Sequence, residues 1–309
     1  MKLYMAPLEG ITTHVYRAVY HKHFAPMDTY FTPFLVPHEK KGFSKKEMKE
    51  VGIEENAGQH LVPQIMSNQS AGFLDTVRKL KEYGYEEVNL NLGCPSKTVV
   101  SKGRGSGFLS DVDGLHRFLE EIYAGCDMKI SIKTRLGRFG EDEFVELLSI
   151  FNEYPVSELI IHPRVQTDQY KGNVRLEAFA YAVKEAKMPL CYNGDITDLE
   201  SYRKIAERFP SVKACMLGRG LIANPYLPEM ILQDKLCPIP KKRVKSFLDE
   251  LSDTYYELYN DERNTLFKLK EVWNYMQDLF PNEKQLLKEM KKTKSLRVFK
   301  TYEGRILEE

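Results

Sequence analysis

Short apolar segments recur along residues 1–220, and most of them are followed by a longer segment with helical periodicity. A short apolar run between turn residues is typical of a buried strand, and apolar positions three and four apart are typical of an amphipathic helix. This alternation predicts an α/β fold, a parallel (β/α)8 barrel. The predicted strands are 2–7, 29–35, 61–66, 87–93, 129–134, 158–162, 190–193 and 214–218, and the clearest helices are 71–83, 113–124, 141–154, 176–185 and 198–208.

The second repeat of this pattern is the weakest. Its connection, residues 37–59, is polar and rich in lysine, which favours a long loop or short irregular helices. Two of the helices begin with a capping signal: Ser70 is expected to cap the third helix, and Thr197-Asp198 that of the seventh unit.

The pattern changes after Pro238-Ile239-Pro240. Residues 241–309 lack strand signals, are strongly charged, and carry apolar side chains with helical spacing. A proline-bracketed segment is typical of a linker. We therefore predict two domains, a barrel over residues 1–238 and a small helical bundle over residues 241–309.

The chain has 309 residues, of which 45 are Lys or Arg and 44 are Asp or Glu. This balance of charge excludes neither nucleic acid nor small anions as ligands. The five cysteines form no CxxC pair and have no histidine at zinc spacing, so we expect neither a disulfide nor a metal. No apolar run approaches the roughly 18 residues of a membrane helix, and residues 1–7 lack a signal-peptide pattern. We expect a cytoplasmic protein without membrane contact.

Polar residues stand at the carboxyl ends of seven predicted strands, which is the end where barrels of this kind hold their ligands. One such residue would mean little, but seven strand ends that converge on one face indicate a site. In chain order these residues are Pro7, Leu8 and Glu9; Gln64; Asn91 and Cys94; Lys133 and Arg135; His162 and Arg164; Asn193, Gly194 and Asp195; and Gly218 and Arg219.

Cys94 follows an apolar strand and lies between Gly93 and Pro95, which fix a turn at the rim of the barrel. Most free cysteines are small buried apolar residues, and that interpretation is one of two open for Cys94. The other is a thiol that serves as a general acid. The glycine-rich stretch 102–107 that follows is suited to the close approach of a ligand.

The segments Asn193-Gly194-Asp195 and Gly218-Arg219-Gly220 follow the last two strands, where barrels often bind phosphate. An isolated Asn-Gly-Asp is more often a simple turn, but glycines on two successive strand ends favour a phosphate site. Arg219 can add charge-assisted hydrogen bonds to such a group.

Lys133 lies on an otherwise apolar strand, so its ammonium needs an anionic or polar partner. It could stabilise a reduced flavin, form a Schiff base, or extend to solvent. The Gln64 amide can both donate and accept, which suits the pyrimidine edge of a flavin. His162 is either a cofactor contact or a structural histidine at a strand end.

The chain resembles the tRNA-dihydrouridine synthases, flavoenzymes that reduce specific uridines in tRNA. The matching motifs occur in order over residues 1–230, and the helical remainder fits the tRNA-recognition domain of that family. Departures stand at Glu9, Thr13 and Arg104. The motifs are MAPLEGIT (5–12), PQIM (63–66), NLNLGCP (89–95), KGRGSGFL (102–109), IKTR (132–135), HPRVQTDQYKG (162–172), YNGDI (192–196) and MLGRG (216–220).

This resemblance implies an FMN-dependent enzyme that uses NADPH and converts uridine in tRNA to 5,6-dihydrouridine. It implies that Cys94 donates the proton to uracil C5 while the flavin delivers hydride to C6. Asn91 and Arg135 match positions that hold the uridine. The positions that match FMN contacts are Pro7, Leu8, Glu9, Gln64, Lys133, His162, Asn193, Gly194, Asp195, Gly218 and Arg219.

A tRNA enzyme needs a basic surface that follows the phosphates. Residues 40–49 supply one basic cluster, and the C-terminal part supplies another, although such runs are more often solvated helix faces. Two other functions stay open: a flavin barrel that reduces a free pyrimidine-like metabolite, and a non-catalytic tRNA-binding flavoprotein. The chain is compatible with a monomer. The C-terminal cluster consists of Lys284, Lys288, Lys291, Lys292, Lys294, Arg297, Lys300 and Arg305, with Phe299 and Tyr302 among them.

Overall fold

Parallel strands form the centre of the molecule in the computed structural model, which describes residues 1–38 and 42–308. The strand order within these residues is β3-β2-β1-β9-β8-β7-β6-β5-β4, and every pairing is parallel. The eight expected strand regions are confirmed. The strands are β1 (Lys2–Met5), β2 (Thr29–Phe31), β3 (Leu61–Val62), β4 (Gln64–Ile65), β5 (Glu87–Leu92), β6 (Lys129–Arg135), β7 (Leu159–His162), β8 (Leu190–Tyr192) and β9 (Ala214–Leu217).

One short segment accounts for the ninth strand. β3 pairs with β2 and β4 pairs with β5, and only Pro63 separates the two. Proline has no backbone N–H to give to a ladder, but the Pro63 carbonyl still accepts from the Asn89 N–H at 2.9 Å. Residues 61–65 therefore act as one strand that joins the two ends of the sheet, and the predicted barrel is confirmed as a nearly closed ring.

Both faces of the strands are buried. Side chains that point into the ring form a small cluster of their own, and the alternate side chains of the same strands pack under the surrounding helices. This two-sided burial explains why the strands appear in the sequence as continuous apolar runs. The inner cluster contains Tyr4, Ala6, Phe31, Val62, Ile160, Cys191, Ala214 and Met216.

Helices surround the ring. The five helices predicted from periodicity are confirmed with ends shifted by up to three residues. The weak connection 37–59 contains one short helix, α2, within its described residues. The helices up to residue 233 are α1 (His14–His23), α2 (Lys45–Val51), α3 (Ser70–Glu82), α4 (Lys97–Val100), α5 (Val112–Gly125), α6 (Glu143–Phe151), α7 (Leu176–Glu185), α8 (Leu199–Arg208), α9 (Arg219–Ala223) and α10 (Leu227–Gln233).

The two predicted caps have different outcomes. Asp198 accepts from the Ser201 N–H at 2.7 Å, and the Ser201 hydroxyl accepts from the Asp198 N–H, so α8 begins with the reciprocal capping box. The prediction for Ser70 is wrong: Ser70 is the first residue of α3, the cap position is Gln69, and the Gln69 side chain makes no capping hydrogen bond. The Ser70 hydroxyl instead donates to Glu121 on α5.

The last four helices are α11 (Lys241–Tyr259), α12 (Glu262–Met276), α13 (Lys284–Lys292) and α14 (Leu296–Leu307). Phe247 of α11 packs edge-on against Tyr16 and Phe24 of the α1 region, with ring centroids 5.6 and 5.3 Å apart. Lys268 of α12 donates to the Gly10 carbonyl at 2.8 Å in the loop after β1. The helical part is thus packed against the barrel rather than tethered to it. None of the helices in the described part of the chain is long and apolar enough to cross a membrane.

Two members of the predicted basic cluster differ from the expectation. Phe299 is fully buried in the helical core, so it has no surface for RNA. Lys300 is half-buried between Asp249 and Glu303, 2.5 Å from a carboxylate oxygen of each. Of the basic loop 40–49, Lys40 and Lys41 lie outside the described residues, whereas Lys45, Lys46 and Lys49 are exposed on α2.

Candidate functional site

A cavity of about 650 Å³ opens at the carboxyl ends of the strands. This volume is in the range of small-molecule sites, which extends from about 300 to 1,000 Å³. Of the fourteen residues to which the family resemblance assigns a role, thirteen line the cavity, and Gln64 is the exception. The thirteen are Pro7, Leu8, Glu9, Asn91, Cys94, Lys133, Arg135, His162, Asn193, Gly194, Asp195, Gly218 and Arg219.

The turn that carries Cys94 is held by two side chains. The Asn91 side-chain oxygen accepts from the backbone N–H groups of Gly93 and Cys94 at 3.1 and 3.0 Å. The Arg135 guanidinium donates to the Gly93 carbonyl at 2.9 Å and to the Val165 carbonyl at 3.0 Å. Two of the residues expected to hold the uridine therefore also fix the backbone that presents the thiol.

The glycine-rich stretch 102–107 supports this turn from behind. Ser106 donates to the Cys94 carbonyl through its hydroxyl at 2.8 Å and through its N–H at 3.1 Å. Gly105 has a φ of +55°, and a Cβ atom there would lie only 2.8 Å from the same carbonyl. The close approach that these glycines permit is to the protein backbone, and residues 102–107 do not line the cavity.

Gln64 lies beneath the cavity, fully buried, in a chain of amides that crosses three strands. Asn91 donates to Gln64 at 2.6 Å, Gln64 donates to Asn89 at 2.8 Å, and Asn89 donates to Ser131 at 3.0 Å. Each donor in this chain has one acceptor, which fixes the orientation of every amide. The observed role of Gln64 is to orient Asn91, and through Asn91 the turn at Cys94.

Burial raises the pKa of the Cys94 thiol above its usual value. A backbone N–H of Ser96 and the charges of Lys133 and Arg135 oppose this shift but do not cancel it. The thiol is therefore protonated at neutral pH, which is the form that a proton donor needs.

Lys133 projects from the middle of the barrel wall toward the cavity. Burial, and then the neighbouring charge of Arg135, lower its pKa to about 8. No hydrogen bond or ion pair joins its ammonium to a residue within 1–38 or 42–308. A cation in such surroundings favours an anionic or polar ligand in the cavity, since an unpaired buried charge is costly.

His162 is held in the neutral form. Burial, and then the charges of Arg135 and Lys133, lower its pKa well below the usual value. Its Nε2 lies 3.1 Å from the Arg164 guanidinium, which can only donate, so the ring proton is on Nδ1. A neutral imidazole with a fixed tautomer is suited to hydrogen bonding rather than to proton transfer.

Asp195 is clamped between two arginines. Its carboxylate lies 2.5 Å from Arg164 and 2.9 Å from Arg219. Burial alone would raise the pKa of Asp195, but these two partners lower it, so the carboxylate stays charged. Arg219 remains more than a third exposed and retains donors for a ligand.

The loops after β8 and β9 approach each other through Gly220. A Cβ atom at Gly220 would lie 2.1 Å from the Ile196 carbonyl, so any side chain there would push the two loops apart. This contact brings Asn193, Gly194 and Asp195 beside Gly218 and Arg219 on one side of the cavity. In the described part of the chain, no group of three or more His, Cys, Asp and Glu side chains could hold a metal ion.

Several lining residues were missed from the sequence. Tyr170 follows β7 and lies over two guanidiniums, with its ring centroid 5.4 Å from Arg135 and 4.8 Å from Arg219. The sequence could have indicated Tyr170, because it is an aromatic residue within the motif 162–172 that follows a strand end. Tyr275 comes from α12, and its periodic helical surroundings gave no signal. The others are Ala6, Ile11, Phe34, Ser96, Lys97, Gln169, Ile196, Thr197 and Met216.

Comparison with known proteins gives relatives along nearly the whole chain. A "Probable tRNA-dihydrouridine synthase" of Staphylococcus aureus (strain MRSA252) is 29% identical over 247 residues, which cover 75% of this chain and 72% of that protein. The "tRNA-dihydrouridine synthase B" of Pasteurella multocida (strain Pm70) is 23% identical over 288 residues, which cover 91% of this chain and 85% of that protein.

Solved structures agree with the barrel. A structure of morphinone reductase superposes with a TM-score of 0.52 at 13% identity, over 78% of this chain and 88% of that chain. At this identity the likeness concerns the fold alone. The family model described as "Dihydrouridine synthase (Dus)" matches residues 4–306, from the first strand to the last helix. Since that match spans the barrel with its strand-end cavity and the C-terminal helices, the chain belongs to the dihydrouridine synthase family.

Proposed function

We propose that this protein reduces uridines in tRNA to 5,6-dihydrouridine, with FMN as the bound flavin and NADPH as the reductant. The observation that carries the proposal is that a protonated thiol, Cys94, lines the same cavity as Lys133, a cation without a partner among the described residues. Membership of the dihydrouridine synthase family, and the names of the relatives from Staphylococcus and Pasteurella, support the choice of substrate.

The residues present fit a flavin mononucleotide. Lys133 offers a positive charge without a counter-ion in the described part of the chain, which suits the electron-rich ring of a reduced flavin. At the other side of the cavity, Arg219 and the glycine-containing loops at 193–195 and 218–220 offer donors for a phosphate. His162, which lines the same cavity, offers an Nδ1–H. Pro7, Leu8 and Glu9 complete the proposed flavin site, with Gln64 acting through Asn91.

The chemistry of the proposed reaction needs a hydride at uracil C6 and a proton at C5. When bound, the reduced flavin supplies the hydride, and NADPH restores it. Cys94 supplies the proton from its thiol as electron density builds at C5, and the thiol then recovers its proton from solvent. Asn91 and Arg135 orient the uracil, and their bonds to the turn at Cys94 keep the thiol in register with it.

The target base must leave its stack to reach a cavity at a barrel mouth, at a cost of a few kcal/mol. Basic side chains near the mouth can offset this cost by holding the phosphates. Lys46 on α2 lies 3.5 Å from Glu9 at the cavity rim, with Lys45 and Lys49 exposed beside it. We assign tRNA recognition to residues 241–309 and catalysis to residues 1–238. The members of the predicted C-terminal basic cluster that are exposed are Lys284, Lys288, Lys292, Lys294, Arg297 and Arg305.

Replacement of the thiol tests the proposal. Cys94→Ala and Cys94→Ser should lower the dihydrouridine content of tRNA by about 100-fold or more, because general acids contribute about 10²- to 10⁴-fold. The measurement is mass spectrometry of tRNA from a strain that lacks the gene and carries each variant. The flavin absorbance of the purified variants should equal that of the wild type.

Cys237→Ser is the matched control, since Cys237 is a free cysteine that does not line the cavity. It should leave dihydrouridine formation unchanged. Full activity in either Cys94 variant would remove the proton-donor assignment. A wild-type protein that makes no dihydrouridine in tRNA, but reduces free uridine or binds tRNA without reducing it, would overturn the proposed function itself.

A further inference from the structure

Two tyrosines meet at the cavity from distant parts of the chain, and neither has a role in the chemistry described above. Tyr170 belongs to the loop after β7, and Tyr275 belongs to α12 in the C-terminal helical part. Burial, and then the proximity of Tyr170, raise the pKa of the Tyr275 phenol. The Tyr275 phenol therefore stays neutral at physiological pH and presents apolar ring surface to the cavity.

The loop that carries Tyr170 is fixed although it is at the surface. Arg164, itself buried, donates to the carbonyls of Lys171 and Gly172 on the far side of the tyrosine. Gln169 has a φ of +53°, a conformation that costs energy for a residue with a side chain. Tyr170 nevertheless remains 48% exposed as a residue. A fixed, exposed aromatic ring at a cavity mouth is typical of a surface that receives a ligand.

The helix that carries Tyr275 is fixed to the barrel near its middle. Lys268 of α12 donates to the Gly10 carbonyl at 2.8 Å and pairs with Glu271 at 2.7 Å. The ring of Tyr275 thus reaches the cavity from a helix anchored on the loop after β1. The barrel alone would leave this side of the cavity open.

We propose that Tyr275, together with Tyr170, forms an aromatic wall against which the nucleotide extruded from the RNA is held during reduction. This inference rests on the proposed function and makes Tyr275 a substrate-positioning residue supplied by the helical part. Aromatic side chains stack on bases of any sequence. The guanidiniums of Arg135 and Arg219 lie 5.4 and 4.8 Å from the centroid of the Tyr170 ring, and these cation–π contacts help to fix its orientation.

The test compares two substitutions at Tyr275. Tyr275→Leu should lower kcat/KM for tRNA by about 5- to 100-fold, the range expected for the loss of one base-aromatic stack. Tyr275→Phe keeps the ring and should retain most of the wild-type kcat/KM. The affinity of the apoprotein for FMN, measured by quenching of flavin fluorescence, should be the same in both variants and the wild type.

Tyr256→Leu is the control, since Tyr256 is exposed on α11 and does not line the cavity. It should leave kcat/KM unchanged. A Tyr275→Leu variant with wild-type kcat/KM would overturn the inference, and so would a Tyr275→Leu variant whose FMN affinity falls by the same factor as kcat/KM, since the ring would then belong to the flavin site. A wild type without activity on tRNA would instead overturn the proposed function.

Discussion

Positive charge outweighs negative charge around the cavity. Asp195 is a carboxylate fully engaged by Arg164 and Arg219, and Glu9 lies at the rim near Lys46. Beyond the effect of burial, the local excess of cations lowers the pKa of His162 and of Lys133, because each added proton must enter a site that is already positive. Such a site is ready for an anion, and its charge state should respond to pH in a predictable way.

Lys133 has a pKa close enough to neutral pH for its charge to change in an ordinary titration. With a pKa of about 8 it is a cation below that pH and neutral above it. We therefore expect the affinity of the apoprotein for FMN to fall as the pH rises through about 8. Fluorescence titrations between about pH 6.5 and 9 would measure this.

Two variants separate Lys133 from other groups. Lys133→Met should bind FMN more weakly at pH 7 and lose the pH dependence near 8. Lys133→Arg should keep a charge over the whole range, because the guanidinium pKa is above 12. A Lys133→Met variant whose affinity still falls near pH 8 would assign the titration to another group.

The residue type alone does not decide which residue caps a helix, as the starts of α3 and α8 show. Asp198 and Ser70 are both good capping residues by composition, yet only Asp198 occupies the cap position. The difference is one residue of register. Gln69 has the extended conformation of the cap position before α3. Ser70 is therefore the first residue inside the helix, and its side chain points to α5.

Asp198→Ala should destabilise the protein by about 0.5–2 kcal/mol, because it leaves the first N–H groups of α8 without a partner. Ser70→Ala is the matched comparison and should cost less than about 0.5 kcal/mol, as is usual for exposed positions. Urea unfolding of both variants gives the two free energies. Equal losses would mean that the hydroxyl of Ser70 has a structural role beyond its bond to Glu121.

In the whole molecule, the barrel and the C-terminal helices share a continuous apolar core. Phe247 of α11 is fully buried against Tyr16 and Phe24, and the Arg243 guanidinium lies 5.0 Å from the centroid of the Phe24 ring. The two parts that the sequence separates at residues 238–240 are therefore expected to unfold together.

Phe247→Ala should lower the free energy of unfolding by about 3–5 kcal/mol, the usual cost of emptying a buried aromatic site. Phe267→Ala provides the control: Phe267 lies on α12 and is 59% exposed, so its loss should cost less than about 0.5 kcal/mol. For Phe247→Ala, flavin release and circular dichroism should both report one unfolding transition, with its midpoint at a lower denaturant concentration than in the wild type. Two separate transitions would instead show that the parts fold independently.

The sequence was sufficient for features that repeat or that follow strand ends. Period and apolar runs predicted the strands, and because parallel strands share one edge, they also brought Cys94, Lys133 and Arg219 to one cavity. Contacts between distant segments left no such trace. Tyr275 lies at the cavity on a helix that Lys268 joins to Gly10, a residue 258 positions away in the sequence. Phe299 stands among basic residues in the sequence, and only the packing of its helix shows that it is buried. The role of Gln64 could not be predicted either, because the sequence does not show whether a glutamine amide bonds to a ligand or to a neighbouring side chain such as Asn91.

The pairing of β1 with β9 determines when the barrel can close during synthesis. Lys2 is paired with Ala214, so during synthesis β1 finds one of its two neighbours only after more than two hundred further residues have been added. At about 5–20 residues per second, this is a delay of roughly 10 to 40 seconds. During that interval one edge of β1 is open to other chains. The ring therefore closes only when synthesis has nearly reached the C-terminal helices.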